Sequence, residues 1–262
     1  MTDRLFQVER RARGVVWLTL DRPEIHNAFD DRLIVKLTAE LARLGDDDAV
    51  RVVGLTGAGR SFSAGADLNW MRRTATYGDA ENLADARALA KLMRILNELA
   101  KPTVAQVNGA ALGGGTGLVA CCDIVIASDR AVFGTTEVRL GLIPSVIGPY
   151  VLAAVGARHA RRLMLTGERI SAAEAARLGL VHEVVAAEQL DAAVERVVAE
   201  LLKGGPTAIA AAKRLIGDLA GRPIDSSLID GTAQRIAALR ATPEAREGVG
   251  AFLEKRAPGW MG

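Results

Sequence analysis

Cysteine, charge of one sign and long apolar runs are what this chain has least of, and each shortage removes a class of protein. The only cysteines among its 262 residues are Cys121 and Cys122. Adjacent residues are badly placed to bridge each other, so no disulfide framework is expected, and the chain reads as one that works reduced, in the cytoplasm. Lysine and arginine number 33 against 31 aspartates and glutamates, a net charge of +2. That balance gives no electrostatic case for nucleic acid or an anionic membrane as partner. The one like-charge run, Asp46-Asp47-Asp48, is expected to be a solvated turn. No apolar stretch is long enough to span a bilayer, and residues 1–10 carry acids without the apolar centre of a leader peptide. His26, His159 and His182 are too scattered for a metal-ligand pattern. Gly57-Ala58-Gly59 lacks the third glycine of a dinucleotide fingerprint, no glycine-rich stretch ends in Gly-Lys-Ser/Thr, and no Gly-x-Ser-x-Gly elbow occurs.

Half of the residues are hydrophobic, enough at this length for one large domain or for a core with a smaller appendage. Strands alternate with helices along the chain. Residues 5–10 and 15–20 read as strands around a turn at Gly14. Leu33, Leu37, Leu41 and Leu44 recur at helical spacing, with Asp30 or Asp31 placed to cap the helix. Residues 52–56 form a short buried strand. Leu89, Leu92, Met93, Leu96 and Leu99 mark a second amphipathic helix that stops near Lys101-Pro102, and residues 103–107 form the next strand. Apolar runs at residues 124–127 and around Val132-Phe133 continue the sheet. Beyond about Ala187 the composition turns helical, with no convincing strand.

Two loops of small residues punctuate this pattern: Ser61-Phe62-Ser63-Ala64-Gly65-Ala66-Asp67 and Asn108-Gly109-Ala110-Ala111-Leu112-Gly113-Gly114-Gly115. Each follows a strand and precedes a helix. With so little side chain, a ligand atom can approach the backbone and meet free N–H groups, helped by the positive end of a helix dipole. Ala66 and Gly114 are thus candidates to hold a negative oxygen, which points to chemistry on a carbonyl. One such loop alone reads more readily as a tight turn or a place of close helix packing; two in the same setting argue for a site.

These loops, with Lys101-Pro102-Thr103-Val104-Ala105-Gln106-Val107-Asn108-Gly109, Cys122-Asp123-Ile124 and Phe133-Gly134-Thr135-Thr136-Glu137-Val138-Arg139-Leu140-Gly141-Leu142-Ile143-Pro144, resemble the enoyl-CoA hydratase/isomerase (crotonase) family. The resemblance runs from Asn27-Ala28 to Phe252-Leu253-Glu254-Lys255-Arg256. It implies an α/β spiral of ββα units over residues 1–200, holding an acyl-CoA site, and a helical C-terminal region over residues 201–262 that makes trimers, often paired into hexamers. It also implies an acyl-CoA thioester as substrate, with its oxygen between the amides of Ala66 and Gly114 and with coenzyme A as part of the substrate rather than a cofactor. Neither a metal nor a redox cofactor is implied. Ala28, Ala64, Asp67, Leu68 and Gly113 match positions along the coenzyme A groove. Phe252 and Lys255 match late residues near the adenosine or its phosphate, although Lys255 reads equally as a solvated helix lysine.

The acid/base residues depart from the fullest family pattern. Where hydratases with two glutamates carry the first, this chain has Gly117; the second is present as Glu137. Keeping one glutamate resembles the Δ3,Δ2-enoyl-CoA isomerases. It also resembles hydratases of branched, carboxylated enoyl-CoAs such as 3-methylglutaconyl-CoA, enzymes of leucine and acyclic terpene breakdown. Asp67-Leu68-Asn69-Trp70-Met71, Cys121-Cys122-Asp123 and Glu137-Val138-Arg139-Leu140-Gly141-Leu142 favour the hydratases. A substrate carboxylate or its water is expected to use space vacated at Gly117, neutralised by Arg72, Arg73 or Arg139. Trp70, Met71 and Tyr77 are candidates to line the acyl pocket. The reading from another class is a non-catalytic acyl-CoA binder with Glu137 idle.

Overall fold

The computed structural model describes residues 5–261. Residues 1–4, part of the segment read as leaderless, and residue 262 lie outside the described residues. The chain opens with an antiparallel pair, β1 (Phe6–Arg10) and β2 (Val15–Leu20), joined by a 3-10 turn at Ala12–Gly14. Next comes α1 (Asp31–Asp46), capped as expected by Asp30, whose carboxylate accepts from the Leu33 amide at 2.9 Å. Leu33, Leu37, Leu41 and Leu44 are all buried on its inner face. The run Asp46-Asp47-Asp48 closes that helix, and Asp47 is tied to Arg10 at 2.7 Å.

The same unit then appears three times. A long strand leads through a turn into a short strand and on to helix: β3 (Val52–Gly57), β4 (Ser61–Ser63), then α2 (Leu68–Thr74) and α3 (Asp79–Glu98); β5 (Thr103–Val107), β6 (Ala110–Leu112), then α4 (Gly114–Cys121); β7 (Ile124–Ser128), β8 (Val132–Gly134), then α5 (Gly148–Thr166). The long strands join β2 in a six-stranded sheet of order β1-β2-β3-β5-β7-β10, where β10 is Glu183–Val185. The short strands make a second sheet, β4-β6-β8-β9, with β9 at Ile170–Ser171. Two expectations are corrected here: each small-residue loop contains a strand of its own, and the run at Val132-Phe133 extends the second sheet rather than the first.

The larger sheet is covered on both faces, as a mostly parallel sheet must be. On β2, Val16, Leu18 and Leu20 enter the main core with α1 and α3, while Val15 and Trp17 face the opposite way. There they meet Val52, Val104 and Ile126 and the inner face of α7 (Leu190–Lys203), from Leu190 through Val194 to Leu202. Each large aliphatic side chain so buried contributes roughly 1.5–3 kcal/mol. Residue 200, where the resemblance ends the spiral core, lies inside α7, whose Leu202 still packs on the sheet. The helices beyond it, α8 (Pro206–Leu219), α9 (Ser226–Arg240) and α10 (Pro243–Leu253), bury only Ala251 fully and leave Ile216, Ile229, Ile236 and Phe252 exposed. Cys121 and Cys122 are buried and unbridged, and no described helix is long and apolar enough to cross a membrane.

Candidate active site

The site is built where the short strands end. Strands β4, β6 and β8 run parallel as neighbours, with Ser63 opposite Ala111 and Leu112 opposite Gly134. Their C-terminal ends therefore share one edge. Ala66, Gly114 and Glu137 follow within three residues of those ends, one from each repeat. All three line a single cavity of about 520 Å³.

The first turn is held by Asn27, a buried residue in the left-handed region with φ of 54°. Its side-chain amide donates to the carbonyls of Ala58 (2.9 Å) and Ser61 (2.7 Å), and its oxygen accepts from the Arg22 amide at 2.9 Å. That anchor sets Phe29 beside the loop in a parallel bridge with Ala66: Phe29 N donates to Gly65 O at 2.8 Å, and Asp67 N donates to Phe29 O at 3.0 Å. In parallel pairing one residue bonds the two neighbours of its partner, so the partner's own N–H faces the other way. The Ala66 amide accordingly has no acceptor among the described residues, and Ala66 lines the cavity.

The second donor is the first residue of α4. Gly113 caps that helix at φ 52°, ψ −123°, a conformation suited to glycine, while its amide donates to Gly134 O at 2.8 Å. Gly114 follows with an amide that, like others in a first helical turn, has no intrahelical partner; no described residue accepts from it. A Cβ on Gly114 would lie 2.2 Å from Cζ of Phe29, so the bare backbone rests directly on that ring. The two loops touch: a Cβ on Gly65 would sit 2.8 Å from Leu112 O and 3.7 Å from Gly114 N.

Glu137 opens the 3-10 turn Glu137–Leu140 after β8. A Cβ on Gly113 would be 3.4 Å from its Oε1, which places the carboxyl beside the second donor loop. Its Oε2 is buried with no hydrogen-bond partner among the described residues. Burial raises its pKa above the ordinary glutamate value, only partly offset by a hydrogen bond from its own amide. A carboxyl whose charged form is disfavoured in this way is suited to take up a proton and pass it on.

The remaining candidates divide. Ala64, Leu68, Trp70, Met71 and Gly113 line the cavity. Asp67 instead caps α2 through the amides of Asn69 and Trp70, with Arg22 at 3.6 Å. Ala28 is buried away from the cavity, its carbonyl accepting from Arg22 at 2.7 Å. Tyr77 and Lys255 lie outside the wall, as does Phe252, which is 82% exposed. The space beside Gly117 is taken: a Cβ there would be 2.2 Å from Cγ2 of Ile147 and 3.3 Å from Cε of Met93. The expectation that a substrate group or water fills it is therefore corrected; Ile147 fills it. The arginine expectation is corrected too. Arg73 is tied to Asp31 at 2.5 Å and Arg72 to Asn69 at 2.7 Å, both at the surface; Arg139 is exposed, and none of the three lines the cavity.

Among the wall residues that the sequence reading did not single out, two matter most for the chemistry. Ile147 comes from the apolar approach to α5, and Asp85 from α3. Asp85 lies on the face that also carries Asn82, Ala86 and Leu89, the same stripe that the leucines of that helix continue. A carboxyl on an apolar stripe was the available signal.

The enoyl-CoA hydratase/isomerase family model matches residues 10–262. The chain belongs to the enoyl-CoA hydratase/isomerase family. It is an enzyme of that family and has its crotonase fold. An enoyl-CoA hydratase from Shewanella pealeana superposes with a TM-score of 0.95 at 43% identity, covering 99% of this chain and 97% of that one. A putative enoyl-CoA hydratase of Thermus thermophilus is 36% identical over 97% of this chain and 99% of its own length. The 2,3-dehydroadipyl-CoA hydratase of Escherichia coli is 35% identical over 96% and 97% respectively.

Proposed function

We propose that the protein hydrates a 2-enoyl-CoA, adding water across the 2,3 double bond. The observation that carries this is the meeting, at three adjacent strand ends, of two unused main-chain amides and one half-buried carboxyl with an unpartnered oxygen. The amides of Ala66 and Gly114 would hold the thioester oxygen and favour the enolate over the neutral ground state, each donor supplying roughly 2.7–4 kcal/mol. Glu137 takes a proton from the attacking water and returns it to the α-carbon. So written, the reaction calls on no metal or redox group, and coenzyme A enters with the substrate. Ala64, Leu68 and Gly113 border the thioester. Asp67 and Ala28 act behind them, and Phe252 and Lys255 are assigned to the coenzyme A end, where a neighbouring subunit of a trimer or hexamer also contributes. The exposed apolar side chains of α8–α10 support such an assembly.

For the acyl group the reading is a branched or carboxylated chain, 3-methylglutaconyl-CoA being the instance. The aliphatic wall of Leu68, Leu140, Leu142, Ile143 and Val146 supports branching. Support for a carboxylate comes from the relative whose named substrate, 2,3-dehydroadipyl-CoA, ends in one. The second reading is a Δ3,Δ2-enoyl-CoA isomerase with Glu137 as its single base, favoured by Ile147 closing the place of a first glutamate. The test is loss of the conjugated thioester absorbance with crotonyl-CoA, branched and carboxylated enoyl-CoAs, repeated with Glu137→Gln. Turnover that disappears in the variant is expected. Binding of all three thioesters without turnover overturns the hydratase and favours the non-catalytic binder, and turnover of 3-enoyl thioesters alone favours the isomerase.

A further inference from the structure

Gly117 leaves the hydration site one carboxyl short, and Ile147 seals the place where that group would stand. The cavity nevertheless has a second carboxyl. Glu137 and Asp85 are the two acidic side chains that line it among the described residues, and no lysine, arginine or histidine does. Asp85 is the seventh residue of α3, in the helix interior, so it caps nothing, and aspartate is a poor helix former there. Its Oδ1 accepts from Nε1 of Trp70 at 3.1 Å, a contact that fixes the carboxyl against the wall between α2 and α3. The other oxygen takes no hydrogen bond from any described residue. Holding Trp70 accounts for one oxygen, and Asp85 is a residue of the cavity wall.

Building on the hydratase reading above, we propose that Asp85 is the second catalytic carboxyl, an ionised group that accepts a hydrogen bond from the attacking water while Glu137 takes that water's other proton. The water oxygen bonds to the β-carbon, and the π electrons of the double bond pass to the α-carbon and thioester, where the two amides hold the enolate oxygen. One water proton moves to Glu137 and from there to the α-carbon. The other stays on the new hydroxyl, hydrogen-bonded to Asp85. The sum is H and OH across the double bond, with both carboxylates restored. Burial raises the pKa of Asp85 above the ordinary aspartate value and the charge of Asp31 adds to this; the Trp70 N–H and the charge of Arg73 favour the carboxylate and offset it in part.

The roles of the two carboxyls separate experimentally. Exchange of an α-proton of butyryl-CoA with D₂O uses Glu137 and the amides but no attacking water. Asp85→Asn keeps an acceptor for Trp70 and is expected to slow crotonyl-CoA hydration about 100-fold or more in kcat, with KM within about threefold. Deuterium exchange into butyryl-CoA, read by mass spectrometry, is expected to slow by less than about threefold, whereas Glu137→Gln abolishes both. Full hydration in Asp85→Asn overturns the proposal, as does an equal fall of both reactions, which would mark Asp85 as mere support for Trp70. A change confined to KM or to acyl preference would make it a specificity residue and overturn the proposal as well. If the wild-type protein hydrates no enoyl-CoA while exchange proceeds, the hydratase reading itself fails, and that failure is seen before any variant is made.

Discussion

The first two ββα repeats and the third deliver their groups to the same cavity in different currencies of structure. Repeats one and two present backbone: Ala66 beside the Phe29 bridge and Gly114 at the start of α4. Repeat three presents a side chain, Glu137, held in a place where burial leaves one oxygen without a partner. The difference teaches how each part fails. A main-chain donor is not removed by substitution, only displaced, and its position depends on what packs beneath it. A carboxyl can be removed cleanly while the scaffold stays.

The comparison is broken most severely at the side chain. Glu137→Gln is expected to lower kcat by about 10² to 10⁴, roughly 3–5 kcal/mol, with thioester binding retained; equal catalysis by the amide would mean the third repeat contributes only shape. Next comes displacement of a donor. Gly114→Ala forces a methyl against the Phe29 ring, where 2.2 Å is available, and a shifted amide is expected to cost about 10² in kcat. The double variant with Phe29→Leu should recover part of that loss, and no recovery would show that the ring does not set the amide. Gly117→Ala comes third, since its methyl would press on Ile147; a loss of about 1–3 kcal/mol in denaturant unfolding is expected, with kcat little changed in the protein that remains folded.

The smallest effect sharpens the contrast through pH. Burial raises the pKa of Glu137 above its unfolded value, so the native state prefers the protonated form. Stability from that preference is present at pH below the unfolded pKa and is lost as pH rises through the folded pKa. Glu137→Gln, which cannot ionise, is therefore expected to have a slightly higher Tm than wild type at neutral pH and no advantage in acid. A lower Tm for the variant at neutral pH would show that the native site stabilises the charged carboxylate.

Much of this was legible in the amino acids because the relevant features are local. Asp30 capping α1, the leucine stripe of that helix and the small-residue runs around Ala66 and Gly114 each leave a periodic or compositional mark. The second sheet was not legible, since strands of two or three residues such as Ile170–Ser171 are too short to show alternation. Asp85 was missed because the period of α3 was taken from its leucines alone, though the same stripe runs back to Asn82. The arginines failed for another reason: nearness in sequence to a loop does not decide which way a long side chain points, and Arg73 finds Asp31 at the surface instead. Ile147 could not be foreseen at all, because its contact with Gly117 joins positions thirty residues apart that only the packing of α4 against the entry to α5 brings together.

That contact also bears on how such a protein changes over generations. A glutamate at position 117 would have to enter a space already occupied by a branched side chain, so a single codon change toward two glutamates first meets a steric barrier. The passable route begins with a smaller residue at 147, which by itself leaves a hole and lowers stability. One isoleucine thus acts as a ratchet, keeping this lineage on whatever solution it has found for the missing carboxyl.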